Sequence, residues 1–373
     1  MANNNTKEWI SRLIEPAGIV LDGLNPWDIK ILNPDLYGRI KSQGSLGLGE
    51  AYMDGWWECE NLDQFFCRLL SSRIDERIGL SLPLILGFVG AKIFNPQSLG
   101  RAFQIGERHY DAGNDLFIAM LGKSMTYSCG YWKDARNLDA AEEAKLDLIC
   151  RKINLKPKQR VLDIGSGWGS FAKYAAKNYG AQVVGITVSK EQLKFAEDSC
   201  KGLPVEFRFE DYRKLNEKFD HIVSVGMIEH VGVKNYKTYM RVAKRCLKEN
   251  GLFLLHTIGG LKSENSTDPW INKYIFPNGM IPSLKQLSQS VEGLFVIEDV
   301  HNFGVDYDKT LMAWYNNFDD SWPQLKKNYS KRFYRMWKYY LLSCAGAFRS
   351  RSLQLWQIVL SPRGVPGGYK PVR

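Results

Sequence analysis

The sequence predicts an α/β protein: a doubly wound, Rossmann-like sheet of seven strands with a mostly helical N-terminal region. Three observations predict it. From about residue 140, apolar runs alternate with helical stretches, the mark of a sheet covered on both faces. A glycine-rich turn, Gly165-Ser166-Gly167-Trp168-Gly169, stands directly between the first such run and a helix. Residues 1 to about 95 show no strand-like alternation.

In chain order, the N-terminal region reads as short helices broken at Asn25-Pro26, Asn33-Pro34 and the Gly44 to Gly49 cluster. A boundary at Asn95-Pro96 divides the chain into 1–95, a helical domain, and 96–373, the sheet domain. The strand candidates are Arg160–Ile164, Gln182–Thr187, Val205–Phe209, His221–Val225, Leu252–Thr257, Leu294–Val300 and Leu353–Leu360. Helices are expected at Ser170–Tyr179, Lys190–Cys200 and Lys234–Lys248. Gln324 to Phe348 reads as one amphipathic helix, with Lys327, Lys331, Arg335, Lys338 and Arg349 along one stripe and Phe333, Trp337, Tyr340 and Phe348 opposite.

Composition narrows the class. With 45% hydrophobic residues over 373 positions the chain can bury a substantial core, which excludes a disordered or collagen-like protein. Seven scattered cysteines without a CxxC pair read as reduced thiols in a cytosolic setting. The start, MANNNTKEWI, has no signal-peptide pattern. The longest apolar run, Leu80 to Phe94, is broken by Pro83 and falls short of the roughly 20 residues that span a bilayer. It reads as buried core, a dimer interface or a lipid contact. Charge is uneven: of the net +10, the stretch from Ser321 to Arg373 holds 11 Lys and Arg and no acid. That localised basic surface calls for an anionic partner.

The glycine turn carries the first chemistry. Glycines there let the backbone approach a ligand closely and adopt positive φ. The spacing is GxGxG rather than the dinucleotide GxGxxG, and Asp163 ends the strand before it, a pattern that suits a nucleoside with a sulfonium or amino-acid tail better than a pyrophosphate. Thr187 and Gln192 follow the second strand, where a ribose would lie. Asp211 and Tyr212 follow the third, where Asp211 could accept from an adenine amine. Glu229 after the fourth strand and His256 in the fifth should both face the ligand crevice. The five histidines show no metal-ligand spacing with cysteine, and no metal is assigned.

Several motifs together resemble one family. HYDAGNDLF (His109–Phe117), TYSCGYW (Thr126–Trp132), VLDIGSGWG, VVGITVSKEQ (Val183–Gln192), GMIEHVG (Gly226–Gly232), His256-Thr257-Ile258 and the Trp270 to Pro277 segment are similar to the cyclopropane fatty acyl phospholipid synthases, S-adenosylmethionine-dependent methyltransferases. The likeness runs from about residue 95 onward, and the N-terminal part resembles the extra domain of the bacterial enzymes. The resemblance implies a methyltransferase sheet whose last strand, Leu353–Leu360, lies antiparallel beside the fifth. It implies S-adenosylmethionine contacts at Tyr127, Ser128, Gly165, Gly167, Thr187, Gln192 and Asp211, to which the strand-end reading adds Asp163 and Tyr212. It further implies a bicarbonate ion held by Cys129, Glu229, His256, the Ile258 main chain and Tyr307.

Those residue types fit the implied reaction. An alkene has no proton that must leave before it attacks a sulfonium methyl. The cation so formed must then lose a proton from the new methyl group to close a three-membered ring. A small oxyanion can act as base where no side chain reaches, and aromatics such as Tyr127, Tyr131, Trp132 and Phe303 could line an acyl channel and exclude water. The expected partners are unsaturated phospholipids at the inner face of the membrane, anionic headgroups against the basic stripe, and a second copy of the chain in a homodimer; no nucleic acid is expected. The location implied is cytoplasmic and peripheral to the membrane. Alternatives of the same fold are a lipid C-methyltransferase that leaves a methyl or methylene branch, a small-molecule N-methyltransferase, or an RNA methyltransferase using the basic tail. A silent lipid-binding protein would have no need of the glycine turn or Glu229.

Overall fold

The computed structural model describes residues 2–73 and 113–373. The Leu80 to Phe94 run, the 95/96 boundary and the first part of the His109–Phe117 motif lie outside the described residues. The described chain forms two compact units. One holds the N-terminal helices together with Ser266–Pro277 and Tyr307–Leu353; the other holds the remainder, including Asn278–Asp306 and Gln354–Arg373. A single cut between N-terminal and sheet domains therefore does not describe the fold, since two later segments pack with the N-terminal helices.

In the first unit, helices Ala2–Ile14, Leu36–Met53 and Leu62–Ser71 are joined by a two-stranded ribbon, β1 (Lys30–Ile31) and β2 (Trp57–Glu58), which pair antiparallel. The Gly44 to Gly49 cluster, expected as a turn, lies inside the Leu36–Met53 helix. Its glycines serve a kink and a close contact instead. Gly44 takes φ 58° and bends the helix. At Gly49 a Cβ would stand 2.4 Å from Trp270. Tyr339 is the hub of an aromatic core, with ring centroids 4.5 Å from Trp270, 5.1 Å from Phe66 and 5.5 Å from Tyr52.

The basic stripe is not one helical face. The chain leaves the helix after Leu325 and re-enters at Lys331, with Ser330 capping the new N-terminus by accepting from the Phe333 amide. Arg335 is buried. It donates to the Tyr52 and Trp57 carbonyls and pairs with Glu58. Arg349 is shared between Asp308 and Asp63. Two of the five cations thus bind the protein's own acids and carbonyls, because a buried guanidinium must be paired.

The second unit contains β3 (Arg160–Ile164), β4 (Gln182–Thr187), β5 (Val205–Phe209), β6 (Phe219–Val225), β7 (Leu247–Gly260), β8 (Val296–Asn302) and β9 (Leu353–Ser361). They form one sheet in the order β5-β4-β3-β6-β7-β9-β8. The pairs from β5 to β7 are parallel, and β8 and β9 are antiparallel. The chain steps outward from β3 to β5, then returns to place β6 on the other side of β3. That reversal opens a crevice at the carboxyl ends of β3 and β6. Along each strand alternate residues enter opposite cores: Leu162, Ile222 and Phe253 on one face, Val161, Val223 and Leu254 on the other. Burial on both faces explains why these strands read as nearly unbroken apolar runs.

Candidate active site

The glycine turn sits at the reversal. Gly165, Gly167 and Gly169 have φ of 83°, 53° and 85°, a region where a side chain would be strained. The Gly165 and Ser166 amides both donate to the Ile186 carbonyl at 3.0 Å, which ties the turn to β4. In front of it lies a cavity, and all nine residues expected to hold the nucleoside ligand line it: Tyr127, Ser128, Asp163, Gly165, Gly167, Thr187, Gln192, Asp211 and Tyr212. Thr187 Oγ1 donates to Gln192 Oε1 at 3.1 Å. Asp211 accepts from the Arg213 amide at 2.9 Å, so it also caps the short helical turn after it. Tyr127, Phe117 and Trp168 form an aromatic cluster beside the turn, at 5.2 and 4.9 Å between successive centroids.

A second group of residues lies at the ends of β6 and β7. Glu229 belongs to the helical turn Ile228–His230 just after β6, and His256 is opposite Val225 in the β6–β7 register. Glu229 Oε1 accepts from the Ile258 amide at 2.8 Å. The Ile258 main chain, expected on a bound anion, thus orients Glu229 through its N–H. Glu229 Oε2 and His256 Nε2 are both buried without a hydrogen-bond partner. Burial pushes the Glu229 carboxyl up to about 7. Burial, helped by the fields of Lys145 and Lys152, drives His256 well below its usual value and keeps it neutral. Gln357 Nε2 lies 3.2 Å from His256 Nδ1. An amide nitrogen donates, so the ring proton belongs on Nε2, the unpartnered atom.

Cys129 is fully buried next to Ser128, with its thiol donating to the Gly130 carbonyl at 3.1 Å. Phe303 packs 5.8 Å from His256 and 5.3 Å from Tyr131, closing an apolar wall. Tyr307 belongs to the other unit, where its ring packs on Phe348 at 4.6 Å and Trp314 at 5.9 Å. Two residues escaped the sequence reading. Lys145 is buried in the cavity wall, and Gln357 fixes His256. Both had a signal: each is a polar residue in register with apolar neighbours, Lys145 on the Leu138–Lys152 helix and Gln357 in the LWQIVL strand.

The sheet order, with the glycine turn at its reversal and the cavity before it, defines the methyltransferase fold. A family model for mycolic acid cyclopropane synthetases matches residues 97–358, and the chain belongs to that family. A cyclopropane-fatty-acyl-phospholipid synthase of Escherichia coli K12 is 55% identical over 363 residues, 97% of this chain and 95% of its own. Among solved structures, a cyclopropane synthase of Mycobacterium tuberculosis is 29% identical with a TM-score of 0.65, covering 69% of this chain and 97% of its own. A mycolic acid cyclopropane synthase solved with SAH and CTAB is 30% identical, with the same score and coverage.

Proposed function

We propose that this protein transfers a methylene group from S-adenosylmethionine to the cis double bond of an unsaturated acyl chain in a membrane phospholipid, closing a cyclopropane ring. It would work at the cytoplasmic face of the membrane. The observation that carries the reading is the cavity lined by every residue expected to hold the methyl donor, together with two buried, unpartnered polar atoms, Glu229 Oε2 on the turn after β6 and His256 Nε2 in β7, outside that lining. The nearly full-length likeness to a phospholipid cyclopropane synthase supports it.

The donor would lie in the cavity, its adenine toward Asp211 and Tyr212, its ribose toward Gln192, and its amino-acid end toward Ser128 and Asp163. Methyl transfer to an alkene leaves a carbocation, and ring closure requires loss of a proton from the added methyl group. No side chain need reach that proton if a small oxyanion is held nearby. Bicarbonate fits the two open groups, because it offers both acceptor oxygens and a hydroxyl, and when bound it would supply the base. His256, neutral with its proton on Nε2, would donate to such an ion. Glu229, pushed up to about 7, can accept from its hydroxyl when ionised or donate when protonated. Ile258 holds Glu229 in place, Cys129 completes the set by resemblance, and Phe303 with Tyr131 keeps water from trapping the cation.

The test is to incubate the purified protein with S-adenosylmethionine and vesicles of unsaturated phospholipid, then read the acyl chains by mass spectrometry. A gain of one CH2 with loss of the alkene is expected. A gain in which an alkene survives, or no change in any lipid, would overturn the assignment.

A further inference from the structure

Lys145 is 1% exposed and lines the same cavity as the glycine turn. A buried ammonium has a charge to balance and three protons to place. One proton goes to Ser128 Oγ at 3.1 Å. Among the described residues, no carboxylate lies within ion-pair distance of it. Glu142, one turn earlier on the same helix, is already engaged: its Oε1 accepts from the Gly122 amide at 3.3 Å and its Oε2 from the Ser124 hydroxyl. Asp163 lines the cavity too, and its Oδ2 is buried without a partner.

The cavity therefore offers an underpaired cation beside a serine hydroxyl, together with an unpartnered carboxyl oxygen. That combination is complementary to an α-amino-acid zwitterion, with its carboxylate toward Lys145 and Ser128 and its ammonium toward Asp163. Arg213, the other cation lining the cavity, is engaged elsewhere: it pairs with Asp211 at 3.7 Å and stacks on the Tyr212 ring at 5.0 Å. We propose that Lys145 binds the carboxylate of the donor's amino-acid end, which makes the Leu138–Lys152 helix part of the ligand-binding machinery. This rests on reading the cavity as the S-adenosylmethionine site.

The experiment pairs two ligands with two proteins. S-Adenosylhomocysteine and its decarboxylated analogue, which keeps the amine and lacks only the carboxylate, are titrated calorimetrically into the wild type and Lys145→Met. The wild type should bind S-adenosylhomocysteine about 10- to 100-fold more tightly than the analogue, the range of a charge-assisted hydrogen bond. Lys145→Met should lose that preference by weakening the first ligand and leaving the second unchanged. Equal loss for both ligands would mean that the lysine only holds Ser128 and the local fold, and would overturn the proposal. So would a wild type that binds both ligands alike, a result that needs no variant to fold. Lys145→Gln, which keeps the reach to Ser128 without the charge, should behave as Lys145→Met does. A wild type that binds neither ligand would overturn the reading of the cavity itself.

Discussion

Replacing Glu229 with glutamine tests the anion-site chemistry without emptying space. The carboxyl is buried, its Oε1 accepts from Ile258 N–H, and burial carries it from 4.5 to about 7. The folded protein therefore holds this proton more tightly than the unfolded chain does. Stability from that proton is fully present below about pH 4.5 and is lost as pH rises through about 7. At about 1.4 kcal/mol per pH unit, the ionised carboxylate costs the fold about 3 kcal/mol in mildly alkaline buffer. Glutamine keeps an oxygen for Ile258 and never ionises. In bicarbonate-free buffer, Glu229→Gln should gain on the wild type by about 2 kcal/mol between about pH 5 and about pH 8, read from urea midpoints at each pH. Its cyclopropanation rate should meanwhile fall by about 100-fold or more. A stability difference that stays flat with pH would refute the buried, proton-retaining carboxyl.

Two further outcomes are expected. Gln357→Leu removes the donor that places the His256 proton on Nε2, so kcat should fall by about 10-fold with S-adenosylhomocysteine affinity unchanged; steady-state kinetics with calorimetry checks both. Arg335→Met leaves the Tyr52 and Trp57 carbonyls without their donor and Glu58 without its partner, and urea denaturation should show a loss of about 3 kcal/mol. Binding to anionic vesicles should be unaffected, because that guanidinium faces protein.

The sheet was legible because its central strands are buried on both faces. β3 and β4 begin and end where the apolar runs do, the edge strand β5 is legible from the alternation in VEFRF, and the glycine turn marked the ligand edge. β7 proved longer than the apolar core Leu252–Thr257, running from Leu247 to Gly260, since the exposed Lys248, Glu249 and Asn250 separate that core from Leu247, which pairs with Phe219 across a register shift. The first unit was far less legible. Gly44 and Gly49 look like turn residues, yet what they allow is a bend and the approach of Trp270, a partner more than 200 residues away. Helical periodicity continued through Leu325–Ser330 although the backbone did not. Period also could not tell which cations face solvent: Arg335 keeps its register, but acids and carbonyls from distant segments bury it. The nine cavity residues came from strand ends and motif likeness, whereas Lys145 and Gln357 became visible only once their neighbours were placed.

The hub position of Tyr339 has a consequence for how the chain is made. Tyr52, Trp57 and Phe66 leave the ribosome early, but the ring that covers all three is Tyr339, itself backed by Trp270, and both are synthesised only after the whole parallel half of the sheet. Until then the early helices carry an uncovered aromatic face, the kind of surface that chaperones shelter and that aggregates when they are scarce. A fragment ending near residue 95 would carry that exposed face permanently. The segments that return to the first unit thus act as a late-arriving clasp, so the nascent chain completes its beginning almost last.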